Sequence, residues 1–234
     1  MNTASLRALS VALFSISASL YQSACFADAA PPNEVRAGLY ALFYDASAQN
    51  ISGPYAPAGL NLSVKNVQTL YLAYVRTLTD HFNLELAVGY PPLTKTYGKG
   101  PSMLGSVPYN DVELSSARWA APTLVLNYKF LNDNYALRPY LGAGINYVSF
   151  YDRESTAGGN AASGGPTQIS LSRSLGPAVT AGLSYRLARN WALYASYSYS
   201  RVRSDLTADT AGVIRTTRIS FAPGALVVSA GFSF

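Results

Sequence analysis

The chain has 234 residues, 49% of them hydrophobic and only 12% charged, about half the roughly 25% of a soluble globular domain. Mean hydropathy is +0.11, yet beyond the N-terminus no apolar run approaches the ~20 residues of a membrane-spanning helix. The formal charge of +5 comes from basic residues scattered singly along the chain, without a basic cluster or recognised motif, so no nucleic-acid partner is expected.

Residues 1–27 read as a secretory signal peptide. Arg7 is its one charge, Ala8 to Leu20 form a short apolar stretch, and Cys25-Phe26-Ala27 before Asp28 supplies a small-residue cleavage pattern. Ala27-Asp28-Ala29 offers a second cleavage site. Cys25 leaves with the signal; a lipoprotein reading is disfavoured by Gln22, where a leucine-like residue is wanted. The mature chain, 28–234, then has no thiol, which suits an oxidising periplasm.

The mature chain is dominated by period-two alternation and by residues that favour strands, including 18 Tyr. Eight segments can be placed: 35–44, 67–78, 83–91, 119–130, 138–150, 173–187, 191–202 and 219–234. In the third, Leu84, Leu86, Val88 and Tyr90 alternate with Asn83, Glu85, Ala87 and Gly89; in the last, Leu226, Val228, Ala230, Phe232 and Phe234 alternate with Val227, Ser229, Gly231 and Ser233. Tight turns at Thr79-Asp80-His81-Phe82, Leu131-Asn132-Asp133-Asn134 and Ala188-Arg189-Asn190 alternate with long polar loops, 45–66, 92–118, 151–172 and 203–218. Short turns at one end and long loops at the other, with an even strand number, describe an all-β, eight-stranded antiparallel transmembrane β-barrel of a Gram-negative outer membrane.

One strand face is apolar and the other carries Gly, Ser, Thr, Asn, Tyr and the few charges, which suits lipid outside rather than the charged exterior of a soluble barrel. Aromatics near strand ends, among them Phe43, Tyr74, Tyr128, Phe130 and Trp191, read as interfacial girdles. Membrane lipid is therefore the expected partner. A closed barrel without a free edge is expected to be monomeric.

Assigning the apolar face to lipid sends Arg36, Glu85, Lys129 and Arg186 inward at the periplasmic end, as a charged floor. Tyr40, Leu42, Tyr71, Val125, Asn146, Val148 and Tyr194 point inward higher up. Two readings stay open: an interior filled by a satisfied network, or a pocket open to the outside that accepts small apolar solutes. Pro122, Pro177 and Pro223 fall near the extracellular starts of descending strands, where the missing N–H donor either begins a strand or leaves a lateral gap in the wall. The single histidine, His81, sits in a periplasmic turn, so neither catalysis, a metal site nor a cofactor is expected.

The segment Arg138-Pro139-Tyr140-Leu141-Gly142-Ala143-Gly144-Ile145-Asn146-Tyr147, followed by Phe150, resembles the central strand motif of the OmpW family, which includes the AlkL alkane-uptake proteins. Ala121-Pro122-Thr123-Leu124 is similar to a strand start of that family with Ala121 replacing a proline; Leu187-Ala188-Arg189-Asn190-Trp191 is similar to its penultimate turn. In Phe221-Ala222-Pro223, Ala222 replaces the usual acidic residue. The resemblance implies a passive channel for small hydrophobic molecules with lateral release into the membrane. It also implies a second possibility, a barrel with a closed lumen that acts through its extracellular loops, in stress responses or as a phage or bacteriocin receptor. Phe232 and Phe234 resemble the C-terminal signal read by the barrel-assembly machinery.

Overall fold

The chain is described by a computed structural model over residues 31–44, 47–221 and 223–234. The expected signal peptide with Cys25 and both cleavage sites, and Ala222, lie outside the described residues. In chain order the strands are β1 (Asn33–Tyr44), β2 (Ser47–Ala48), β3 (Asn61–Val64), β4 (Val67–Thr77), β5 (Phe82–Gly89), β6 (Leu93–Lys99), β7 (Met103–Leu104), β8 (Val107–Pro108) and β9 (Glu113–Ala120). They continue as β10 (Thr123–Lys129), β11 (Leu137–Ser155), β12 (Thr167–Leu171), β13 (Ser174–Arg186), β14 (Trp191–Ser200), β15 (Val202–Thr210), β16 (Val213–Phe221) and β17 (Pro223–Ser233), with one helix, α1 (Ala157–Ser163), before β12.

Eight strands close on themselves in the order β10-β5-β4-β1-β17-β14-β13-β11, and β11 returns to β10. Every pairing in this ring is antiparallel. The first and last strands seal it: Asn33 and Phe234 exchange backbone hydrogen bonds of 3.3 and 2.8 Å, and the register runs on from Glu34↔Ser233 to Tyr44↔Pro223. The outward face is apolar. Leu39 and Leu70 lie opposite each other and are 68% and 56% exposed, whereas inward Leu42 and Val75 are 1% and 2% exposed. A soluble protein would not show a continuous apolar belt of this kind; hydrocarbon solvates it. Trp191 packs on Phe232 at 5.0 Å, and Tyr128 sits between Phe82 and Phe130 at 5.2 and 5.1 Å, placing aromatic rings at the periplasmic rim.

The stretches expected to be long loops contain strands, which corrects that expectation: 92–118 and 203–218 are mostly strand, whereas 45–66 carries only the short β2 and β3, and 151–172 the end of β11, helix α1 and β12. Apart from the small β7–β8 hairpin, these strands form a crown of two sheets. One joins the upper half of β11 to β9, β6 and β3; the other has the order β12-β15-β16-β2. The pattern was present in the residues. Val202, Ser204 and Leu206 are buried and Arg203 and Asp205 exposed, and the β15–β16 hairpin turns on Ala211-Gly212, both at positive φ, as a tight two-residue turn requires. Polar outer residues masked this alternation, because the crown faces water rather than lipid. Leu62, Leu206 and Ile219 meet between the sheets as a buried cluster. Helix α1 is capped by Thr156, whose Oγ1 accepts the Gly159 N–H, and ends at Gly164 with φ 85°.

The segment expected at 119–130 is accordingly two strands, β9 and β10, divided at Ala121-Pro122, and that at 219–234 divides between Phe221 and Pro223. Pro122 lacks an N–H but its carbonyl still accepts from Tyr147 N at 3.0 Å, so the chain stays attached to β11 while it changes its other partner.

Deleting Phe234 removes one closing contact to Asn33 and an outward aromatic ring. The expected outcome is impaired assembly, measured as loss of the heat-modifiable folded band on a gel, with Phe234→Leu retaining more of that band than the deletion.

Candidate functional site

Side chains from five strands meet in the lumen toward its periplasmic end. Arg36 on β1, only 2% exposed, donates through Nε to Glu34 and through Nη1 to Glu85 Oε2 at 2.8 Å. Its guanidinium lies 3.6 Å above the Tyr194 ring, and Tyr194 donates its hydroxyl to Glu34 Oε2 at 2.6 Å. Tyr71 donates to Glu85 Oε1. Asn127, which is fully buried, donates to Glu85 Oε2 at 2.9 Å and to Asn83 Oδ1 at 3.0 Å. Lys129 is half-buried with Nζ 5.9 Å from the Tyr194 ring. The two carboxylates balance the two cations, and Arg36 spends its planar fork on both acids, the geometry that suits guanidinium rather than ammonium. Gly231 makes room for it: a Cβ there would stand 2.8 Å from Tyr194 and 2.9 Å from Glu34.

Of the expected floor residues, Arg36, Glu85 and Lys129 come together and Arg186 does not. Arg186 has the inward parity but lies at the rim, exposed, donating Nη1 to the Asp133 carbonyl at 2.6 Å. Strand parity alone misplaced it, because β13 ends there and a terminal side chain can turn outward. Tyr194, expected along the solute path, belongs to the floor. Glu34 was missed, although its parity with Arg36 is the same and one more residue on the first segment would have included it. Arg138 was read only as part of a motif; it is 7% exposed and staples periplasmic turns, with Nη2 donating to the Asp80 and Leu131 carbonyls at 2.6 and 2.7 Å and Nη1 paired with Asp133. His81 lies in the turn before β5, stacked on Tyr128 at 5.5 Å, with Nδ1 2.9 Å from the Lys129 carbonyl oxygen.

Above the floor the lumen opens into a space that Tyr40, Leu42, Tyr71, Val125, Asn146 and Val227 help to line. A second space lies against Leu42, Trp119, Asn146, Val148, Phe150 and Phe221. A third lies between the crown sheets beside Leu62, Leu114 and helix α1 residues. The first two share Leu42, Trp119 and Asn146, and the second and third share Ser115, Ile169 and Leu206. The expected path residues other than Tyr194 therefore border the two lower spaces. Trp119 borders both, a role that its place at the start of the 119–130 segment does not signal.

The wall beside the lowest space is interrupted. The β5–β10 ladder ends at Ala87↔Thr123 and pairing resumes only at Leu93↔Arg118. Between them Val88 to Pro92 face Trp119 to Pro122 without a ladder, and Pro91, Pro92 and Pro122 have no N–H to give. The seam is crossed by side chains, Arg118 Nη1 to the Pro91 carbonyl at 3.1 Å and Trp119 Nε1 to Thr94 Oγ1 at 2.9 Å. The lower space reaches Val88 and Tyr90 there, two residues that are 39% and 60% exposed on the outer face. Pro177 and Pro223 sit in tighter wall. Pro177 lies opposite Ile145 and its carbonyl accepts from Arg201 N at 3.1 Å; Pro223 lies opposite Tyr44.

Comparison with known proteins matches residues 33–234 to the OmpW family. This chain belongs to the OmpW family. Outer membrane protein W of Vibrio cholerae is 27% identical over 86% of this chain and 87% of its own length. The dibenzothiophene metabolism operon protein PahQ of Pseudomonas aeruginosa is 32% identical over 52% of this chain and 54% of its own. The crystal structure of the outer membrane protein OprG from Pseudomonas aeruginosa superposes with a TM-score of 0.78 at 21% identity, covering 88% of this chain and 96% of that one. An outer-membrane location and an eight-stranded barrel follow for this OmpW-family chain.

Replacing Arg36 by Met strands Glu34 and Glu85 without their cation. We expect a loss of about 3–5 kcal/mol, the usual cost of removing one partner from a buried ion pair, read as a lower urea midpoint of tryptophan fluorescence in lipid vesicles. Combining it with Glu34→Gln and Glu85→Gln removes the uncompensated charges and should recover part of that loss.

Proposed function

We propose that this barrel is a passive, non-enzymatic route for small hydrophobic molecules into the outer membrane. A solute enters through the crown, occupies the apolar spaces of the upper lumen, and leaves sideways through the seam between β5 and β10. The observation that carries the reading is the combination of an ion-paired floor with an interrupted wall directly above it. An apolar molecule gains nothing from the charged network below it, whereas Val88, Tyr90 and the prolines lead to lipid. The name of PahQ points the same way, since dibenzothiophene is a flat apolar molecule and half of this chain is similar to that protein.

A second reading has its own observation. The crown stands as two sheets above the barrel and presents exposed side chains such as Tyr55, 87% exposed, and Met103, 47% exposed. A barrel of that shape can serve as a surface for phage, bacteriocins or other partners without passing any solute.

Uptake of dibenzothiophene and of a small sugar, compared in cells lacking related barrels, separates the two. The first reading expects faster apolar uptake with sugar flux unchanged; no change in either favours the second. Within the first reading, Leu42→Arg places a charge in the apolar space and should lower apolar uptake about tenfold, equivalent to ~1.4 kcal/mol. Joint Pro92→Val and Pro122→Val, which restore ladder donors, should lower it as well; wild-type uptake in a correctly folded double variant would remove the lateral exit from the reading.

A further inference from the structure

Arg173 is distant along the chain from Arg201 and Arg203, yet strand pairing brings its segment beside theirs on the wall. Arg201 follows β14, Arg203 is in β15 and Arg173 precedes β13; all three are exposed. Their backbones are stitched together, with Arg203 N donating to Ser174 Oγ at 3.0 Å and Arg201 N to the Pro177 carbonyl at 3.1 Å. Four other cations around the crown have acids: Lys95 with Glu113 at 2.8 Å, Arg218 with Asp205 at 2.7 Å, and Lys65 and Arg118 with Asp111 and Asp152 at 3.9 Å; Lys99 and Arg153 are exposed without one but stand singly. Arg173, Arg201 and Arg203 have no carboxylate partner among the described residues, and Asp205, the nearer of the two acids in β15, is already held by Arg218.

Their height decides what they face. Trp191 marks the periplasmic rim, and Arg201 stands ten residues along the same strand run. At a strand rise of 3.4 Å and a tilt of 35–45°, that is about 25 Å, the height of the apolar band of an outer-membrane barrel. The residues just below are made for acyl chains: Leu175 is 69% exposed, Val179 52%, Tyr197 53% and Tyr199 38%, and Val179 lies opposite Tyr199. A cationic triad directly above an apolar, aromatic strip matches an amphiphile with anionic groups on its head and several chains beneath.

We propose that Arg173, Arg201 and Arg203 bind the phosphates of the phosphorylated glycolipid of the outer leaflet, a lipid of the lipid A type, whose acyl chains lie on Leu175, Val179, Tyr197 and Tyr199. Guanidinium forks suit phosphate oxygens, and clustering three uncompensated cations has a like-charge cost that bound phosphate removes.

The test uses the folded full barrel in detergent, with native mass spectrometry reading retained lipid. Wild type should retain bis-phosphorylated lipid A and not its dephosphorylated form. Joint Arg173→Gln, Arg201→Gln and Arg203→Gln should weaken retention about tenfold or more, while Arg218→Gln leaves it unchanged and the triple lysine variant keeps most of it. The heat-modifiable band establishes that each variant is folded; if the glutamine variant does not fold, single substitutions should each lower retention. Equal retention by wild type and the folded glutamine variant overturns the proposal, as does equal binding of dephosphorylated lipid. Displacement of the lipid by millimolar inorganic phosphate would assign the site to free phosphate and overturn its lipid form.

Discussion

Inside hydrocarbon no water is at hand for an unpaired N–H or C=O, and each orphan costs several kcal/mol. The structure follows from that constraint. The ring of eight strands satisfies every neighbour through antiparallel ladders, and the pairing of β1 with β17 is what turns a sheet with two edges into a wall with none. Departures from regular pairing are confined to the level where the barrel emerges into the crown. Prolines and side-chain hydrogen bonds replace ladder bonds there, and water or headgroups can serve the freed groups.

The lumen solves a different problem. An eight-stranded barrel has an interior that side chains can fill, and the lower part of this one is filled by charges. Arg36 lies between Glu34 and Glu85, and each acid has further donors, Tyr194 on Glu34 and Tyr71 and Asn127 on Glu85, the kind of pairing in which burying charge is tolerable. The residues that could bind apolar solutes begin immediately above. Polar floor and upper lumen are thus coupled: the network gathers Arg36, Glu34 and Lys129 near the periplasmic end, and of its charged members only Glu85 borders the space above.

The crown changes how the molecule meets its surroundings. Because the connecting segments pair into two sheets and do not wander as loops, the mouth has walls of its own, with Leu62, Leu206 and Ile219 between them. The same pairing carries β14 on into β15 and so keeps the outward parity of Tyr197 and Tyr199 through Arg201 and Arg203. A register slip at that junction would turn those arginines into the lumen.

The barrel itself was legible in the residues, because lipid outside and a small lumen inside impose opposite chemistry on alternate positions, and Leu226 to Phe234 or Leu84 to Tyr90 show it directly. The same parity found Arg36, Glu85 and Lys129. It failed where parity stops deciding: Arg186 at a strand end turned to a turn carbonyl, Glu34 lay one residue outside the segment drawn, and the crown strands hid beneath polar faces. Which residues meet across the barrel is decided only by register and closure. Glu85 and Arg36 are 49 residues apart and Tyr194 is 160 from Glu34, separations on which a one-dimensional pattern is silent. The basic residues, singly scattered in sequence, become a cluster for the same reason: strand pairing brings Arg173 beside Arg201 and Arg203, and no spacing along the chain encodes that.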